Sequence, residues 1–258
     1  MTKKIVGCFD LDGTLRSASH YDYDYVLLQL GLFLCEKYPQ LPYLPLWFPD
    51  FLKNLNERDK KKFNEINHLT QKPYQSDKSR FPTSILETVK FLFKERNIDL
   101  SIEDENEIIK IANLYWDDRL YKKFGLDEGV WETIEKLKKM IDYLILLTKG
   151  DFEVQNKKIK TWDLESIFDK CLIVEEKTPT IYHSLRQQYE ADIYFMAGDS
   201  PKEDIYAALE GGFNYAFYLP KELWNESSIK NLNDSRIIPL KSLNDLPDVL
   251  EKIITEKK

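Results

Sequence analysis

Five short apolar runs, separated by segments patterned as helices, leave this chain few ways to fold. They are Ile5-Val6-Gly7-Cys8-Phe9, Tyr143 to Leu147, Cys171 to Val174, Ile193 to Ala197 and Tyr215 to Leu219. Runs this short and this continuously apolar suit strands covered on both faces, the condition of a parallel sheet. The segments just before and between the last four carry helix signals. Gly129 to Met140 sets Val130, Ile134 and Leu137 on one face, and Asp151 is a good N-cap for the stretch up to Trp162. Thr178-Pro179 and Ser200-Pro201 each offer a cap followed by proline at the first helical position. Ser200 and Glu203 also have the spacing of a capping box. Gly211-Gly212 is a helix stop. This alternation predicts an α/β fold, a Rossmann-like parallel sheet with helices on both faces.

The stretch from Arg16 to Phe124 reads differently. It holds six of the eleven prolines and no buried-strand run. Its patterns are helical, around Tyr25 to Leu30, over Ser84 to Phe93, and in one further helix from Glu103 to Tyr121. We therefore expect residues 1–16 and 125–258 to form the core and 17–124 a mostly helical insertion after the first strand. The tail suggests an edge strand at Ile237-Ile238-Pro239-Leu240, where proline is tolerated, and a last helix near Asp245 to Thr255.

Composition narrows the function. Of 258 residues, 43% are hydrophobic and 31% charged, as in a folded globular chain. The net charge of −7 disfavours a nucleic-acid-binding domain. It would also repel a phosphorylated ligand, so a site for one must supply its own positive potential. Cys8, Cys35 and Cys171 are too few and too scattered for a disulfide framework or a zinc site, which suggests a reducing compartment. No apolar stretch approaches the ~20 residues that span a bilayer, and the first residues lack the apolar region of a signal peptide. The expected location is cytoplasmic, with no nucleic-acid or membrane partner.

In an open α/β sheet, ligands sit beyond the carboxyl ends of the strands. Here the first run ends in Asp10 and Asp12, the second in Thr148, Lys149 and Gly150, and the third is followed by Lys177. The fourth ends in Asp199 and Ser200, with Asp204 one helical turn on. Buried strands need no such endings for stability, so their coincidence points to chemistry.

Asp10-Leu11-Asp12-Gly13-Thr14-Leu15 resembles the first motif of the haloacid dehalogenase-like (HAD) hydrolase superfamily. Leu146-Leu147-Thr148-Lys149-Gly150 is similar to its second, Glu176-Lys177-Thr178-Pro179 to its third, and Gly198 to Asp204 to its fourth. The motifs stand in family order. The insertion occupies the place of a C1-type cap, and Ser79-Arg80-Phe81-Pro82 looks like part of the caps of some relatives. The resemblance implies a phosphatase-type member in which Asp10 attacks phosphorus and becomes an aspartyl-phosphate. Asp12 would protonate the leaving alcohol and then activate water. Two close carboxylates favour one staying protonated, and that one is expected to be Asp12. Asp10 and Asp199, with the backbone carbonyl of Asp12, would bind Mg²⁺, and Asp204 would order its outer shell. Thr148, Lys149 and the loop opened by Gly13 would hold the phosphate, and Lys177 would add positive charge beside the nucleophile.

Simpler readings compete for single residues. Lys177 is preferred to Lys149, Lys157, Lys158 and Lys160 because it lies between the third strand and a proline-initiated helix. Asp204 could merely stabilise a helix dipole, and Glu203 is expected to complete the capping box. His20 and Arg80 could reach substrate but more simply serve structure. Tyr21, Tyr23 and Tyr25 fit a lining of the cap hinge and an ordinary packed face equally well, whereas His183, Trp47 and Trp116 are most simply packing or surface residues. The resulting expectation is a Mg²⁺-dependent phosphomonoester hydrolase acting on a small phosphorylated metabolite. Sugar phosphates, nucleoside monophosphates and flavin mononucleotide all fit that description. A phosphomutase, a 2-haloacid dehalogenase and a non-catalytic binding protein are the alternatives.

Overall fold

The structure is a computed structural model that describes residues 3–16, 19–41, 49–61, 78–220 and 234–256. The chain divides into two compact units, Met1–Ser19 with Gly125–Lys258, and His20–Phe124.

The first unit is built on six parallel strands: β1 Ile5–Phe9, β2 Tyr143–Lys149, β3 Lys170–Val174, β4 Ile193–Gly198, β5 Tyr215–Tyr218 and β6 Ile237–Pro239. Their spatial order is β3-β2-β1-β4-β5-β6. The chain steps outward on one side of β1, then crosses back to begin the other side at β4. That reversal makes the carboxyl ends of β1 and β4 the crevice of the sheet. Alternate residues of the central strands face opposite ways. Val6, Cys8, Ile145, Leu147, Tyr194 and Met196 pack with Tyr182 and Leu185 of one helix and Ala207 and Ala208 of another. On the other face Phe9 meets Phe168 and Phe195 edge-on, and Phe195 meets Phe217.

Of the helices around the sheet, one precedes β2 and the next two follow β2 and β3. α6 is Val130–Leu137, α7 Phe152–Thr161 and α8 Pro179–Gln188. After β4 comes a wide π-type turn, Pro201–Tyr206, which runs into α9, Ala207–Glu210. The last helix, α10, is Leu246–Glu256. Asp151 caps α7 by accepting from Val154 N, whereas the side chain of Thr178 caps nothing and α8 starts on Pro179 alone. Among the described residues β6 pairs with β5 alone, as an edge strand carrying proline. The strands found, and the helices after β2, β3 and β4, match the α/β expectation, with β2 running two residues further, to Lys149.

The second unit is helical: α1 Ser19–Lys37, α2 over 49–61, α3 Arg80–Glu95, α4 Ile102–Ala112 and α5 Asp118–Phe124. Val26, Leu27, Leu30 and Leu34 of α1 pack with Phe51 and Leu55 of α2, Phe81, Ile85 and Val89 of α3, and Ile108 of α4. The single helix expected over Glu103 to Tyr121 is instead broken. A 3₁₀ turn, Asn113–Trp116, intervenes, and Asp117 is extended. The Asp117 carboxylate accepts from the backbone N–H of Arg119 at 2.8 Å, a local bond that competes with helix continuation. Arg80 donates to Asp59 at 2.6 Å, tying α3 to α2. Trp116 Nε1 donates to the Lys78 carbonyl at 2.9 Å. Trp47 and the side chains of His20 and Tyr21 lie outside the described residues. Cys8, Cys35 and Cys171 are free thiols. Among the described residues no helix is long and apolar enough to cross a membrane.

One buried polar cluster holds the start of α4. Asp104 accepts from the Tyr38 hydroxyl at 2.5 Å and the Ser101 hydroxyl at 2.9 Å, and lies 3.4 Å from Lys37 Nζ. The Tyr38 bond, supported by Ser101 and Lys37, outweighs burial and holds this carboxyl below the usual carboxylate range. A group depressed in this way stabilises the fold above its unfolded value, near pH 3.9. That contribution is lost as pH falls through the lower folded value. Asp104→Asn is expected to cost about 1–3 kcal/mol near neutral pH. Below about pH 4 the wild type should lose stability more steeply than the variant. Urea unfolding followed against pH checks this, and parallel curves for the two proteins would contradict it.

Candidate active site

Strand register assembles the site. β1 pairs with β4 at Phe9↔Ala197 and with β2 at Phe9↔Leu146. Asp10 therefore lies level with Gly198 and Leu147, beside Asp199 and Thr148. Its N–H donates to Ala197 O at 3.0 Å, continuing the ladder one residue past the strand. The loop after it is tightly closed. Gly13 N donates to Arg16 O at 2.8 Å, and Leu15 N and Arg16 N both donate to Leu11 O. Arg16 is fully buried, with Nε on the Gly125 carbonyl at 3.2 Å and its guanidinium 4.9 Å from the Trp162 ring.

Two glycines are required by close approach. Gly13 has φ +91°, and a Cβ there would stand 2.2 Å from an Asp199 carboxylate oxygen. At Gly198 a Cβ would meet the Asp204 carboxyl carbon at 2.4 Å. Larger residues at either position would push away one of the acids that the site gathers.

Asp10, Asp199 and Asp204 each offer an oxygen within 4.8 Å of the others. They are 6%, 8% and 0% exposed. The wide turn over Pro201–Tyr206 aims Asp204 back into the site, where it accepts from Ser200 N at 2.9 Å. π-type turns of this sort are common at functional sites. Lys177, three residues past β3, donates to Asp10 at 2.5 Å and to Asp204 at 2.7 Å. Burial works against its charge, but the Asp10 and Asp204 carboxylates prevail and raise its pKa, so it stands as an ammonium. Burial, with the neighbouring Asp204 and Asp199, pushes Asp10 well above the usual carboxylate range despite Lys177.

Three carboxylates and one ammonium leave two formal negative charges in a space that water scarcely reaches. An isolated buried charge is costly, and a divalent cation would relieve the excess. The donors in this group are all carboxylate oxygens, the set that suits a hard cation rather than zinc or copper. The residues thus fit a divalent metal, held by Asp10, Asp199 and Asp204.

Other expected residues sit nearby but with different partners. Thr148 is buried at the end of β2. Lys149 pairs with Glu203. This corrects the capping box, of which only half forms. Ser200 Oγ accepts from Glu203 N, but the Ser200 N–H goes to Asp204. A charge-assisted bond to Lys149 outcompetes a bond to a neutral amide for the Glu203 side chain. His183 is on the exposed side of α8, bonded to Gln187.

Asp12 gives the clearest departure. Burial alone would raise its pKa, but the Lys158 ammonium and hydrogen bonds from Lys158 and Gln155 lower it. These contacts favour the ionised form of Asp12, against the expectation that it rests protonated, whereas burial and the neighbouring Asp204 and Asp199 act to raise Asp10. Lys158, set aside in the comparison of lysines, and Gln155, not singled out at all, are the site residues that sequence reading passed over. A signal existed. Val154, Gln155, Lys158 and Ile159 form the buried stripe of α7, and two polar residues within an apolar stripe need a partner.

Buried acids and a lysine thus meet at the crevice of the strand ends of an α/β sheet. The chain belongs to the haloacid dehalogenase-like hydrolases: residues 8–212 match that family. Similar solved structures include a haloacid dehalogenase-like family hydrolase from Xanthomonas campestris, at 15% identity and TM-score 0.66, covering 99% of this chain and 98% of that one. YfnB of Bacillus subtilis, assigned to the HAD-hydrolases and bound to magnesium, is 14% identical with TM-score 0.61, covering 96% and 99%. An L-2-haloacid dehalogenase is 15% identical with TM-score 0.56, covering 96% and 99%. Identities this low speak to the shared fold alone. No curated protein matches the sequence.

Proposed function

We propose that this protein is a Mg²⁺-dependent phosphomonoester hydrolase acting on a small phosphorylated metabolite. The observation that carries this reading is the convergence of Asp10, Asp199 and Asp204 within 4.8 Å, bridged by Lys177, at the crevice of the sheet. Displacing halide from carbon needs a single carboxylate nucleophile. It does not need three acids gathered as for a cation, nor a second aspartate on the nucleophile's loop. Phosphoryl transfer uses both.

In this reading an anionic ester entering beside Asp12 favours uptake of a proton there; one Asp10 oxygen then attacks phosphorus, the bond from phosphorus to the leaving oxygen breaks, and Asp12 passes its proton to that oxygen. Asp12 then takes a proton from water as the water attacks phosphorus, releasing phosphate and restoring Asp10. The Thr148 hydroxyl and neighbouring N–H groups orient the non-bridging oxygens, and Lys177 offsets charge that builds on them. A divalent cation held by Asp10, Asp199 and Asp204 would supply the positive charge that offsets repulsion between the carboxylate and the phosphate. The helical unit between β1 and β2 is assigned the role of a C1-type cap that selects the leaving group. Lys149, paired with Glu203, is assigned to the rim of the phosphate site. A cytoplasmic setting suits three free thiols.

A panel of phosphorylated metabolites with free phosphate as readout tests the reading. Release is expected with Mg²⁺ and is expected to vanish with chelator. Chloride released from 2-chloropropionate in chelator, with no phosphate from any ester, would replace this reading with dehalogenation. Isomerised sugar phosphate in place of free phosphate would make the protein a mutase.

A further inference from the structure

We infer that Lys158 and Gln155 of α7 are positioning residues, which fix the Asp12 carboxylate in the orientation from which it exchanges protons with substrate and water. This rests on the reading of Asp12 as the proton carrier. It goes further by adding a pair of residues, one helical turn apart, that no motif assigns.

The geometry is specific. Lys158 Nζ donates to Asp12 Oδ1 at 2.8 Å and to Oδ2 at 2.7 Å. Gln155 Nε2 donates to Asp12 Oδ2 at 2.9 Å and to the Lys149 carbonyl at 3.1 Å. Both carboxylate oxygens are thus engaged by side chains that are themselves buried, 5% exposed for Gln155 and 7% for Lys158. The amide orientation of Gln155 is set by its surroundings. Turned over, it would place its oxygen against the Asp12 carboxylate and a backbone carbonyl at once. Its donor group also ties Asp12 to the end of β2, where the chain delivers Thr148. Asp151 in turn anchors the helix, accepting from Val154 N at 3.1 Å.

Asp12 needs such a hold. It sits in a loop past the strand end, beside a glycine with positive φ, and the strand ladder fixes nothing at its side chain. A carboxylate free to rotate would spend most of its time pointed away from the leaving oxygen, and misplacement by an ångström is expensive in proton transfer. The bonds are not needed to gather the Asp10, Asp199 and Asp204 cluster, which has its own clamp in Lys177. Burying a lysine is unfavourable unless it is paired, and here the partner is Asp12.

The test compares leaving groups. In Lys158→Met, kcat/KM for an alkyl phosphate, whose departing oxygen needs a proton, is expected to fall about a hundredfold. With p-nitrophenyl phosphate, whose leaving group departs without one, the fall should stay within about threefold, and phosphate should bind as tightly as to wild type. In an Asp12→Asn background the same substitution should add less than about a twofold loss. Equal losses for both esters, or full additivity in that background, would mean a merely structural role and overturn the inference. Gln155→Leu provides the same comparison should Lys158→Met not fold. Crystal structures of the variants decide the matter independently of the reaction. Asp12 is expected to leave its present orientation while Asp10, Asp199 and Asp204 stay in place. An unmoved Asp12 would overturn the inference even in an active enzyme. Absence of phosphate release by the wild type would instead count against the phosphatase reading, with the crystallographic outcome for Asp12 still standing.

Discussion

Asp10→Asn is expected to lower phosphate release by about ten-thousand-fold or more, equivalent to at least about 5 kcal/mol of lost transition-state stabilisation. An amide of nearly the same shape keeps the packing but lacks the nucleophilic carboxylate. The fold should not suffer. Asp10 is one of three acids crowded with Lys177, and burial already pushes its carboxyl above the usual range. Neutralising it relieves repulsion from Asp199 and Asp204, and Lys177 keeps Asp204 as partner. The metal-free variant should therefore melt at or above the wild-type temperature. Steady-state release from an aryl phosphate, read beside a thermal melt, checks both halves. A near-wild-type rate would remove Asp10 from the chemistry.

Lys177→Met carries the second large effect, and the size of its stability loss depends on the metal. Lys177 is 5% exposed and bonded to two carboxylates. Removing one partner of a buried ionic cluster costs about 3–5 kcal/mol because it strands the remaining charges. Three uncompensated acids would then face one another in the chelated protein. A divalent cation offers the missing positive charge and binds only the folded state, so saturating Mg²⁺ should recover part of the loss. The melting temperature of the variant should thus depend on Mg²⁺ more steeply than that of the wild type. Phosphate release with Mg²⁺ present should still fall about a hundred- to a thousandfold, the usual cost of losing one charged group at a developing anion. Equal melting temperatures for variant and wild type in chelator would show that Lys177 does not balance the cluster.

Much of this arrangement was legible in the sequence, for identifiable reasons. The buried strands advertise themselves because both faces are covered, so β1, β2 and β4 are continuous apolar runs. Their polar endings, Asp10, Thr148 and Asp199, stand out because packing has no use for them. Side-chain partnership was not legible. Glu203 has the spacing of a capping box, but which donor it meets depends on Lys149 arriving from another strand. Asp12 and Lys158 are 146 residues apart in the chain, and no local pattern links them. The break between α4 and α5 runs through a 3₁₀ turn and an extended Asp117 whose side chain takes the Arg119 N–H, details that apolar spacing does not record.

The covalent step is the core of this account, and trapping it is the most direct test. Enzyme mixed with Mg²⁺ and a turned-over phosphate ester, quenched in acid and reduced with borohydride, should carry an alcohol in place of the side-chain carboxyl at position 10 when its peptides are sequenced by mass spectrometry. An acyl-phosphate is reduced under those conditions, whereas a free carboxylate is not. An unmodified Asp10 alongside continuing phosphate release, or a reduced acid at any other position, would contradict the assignment of the nucleophile.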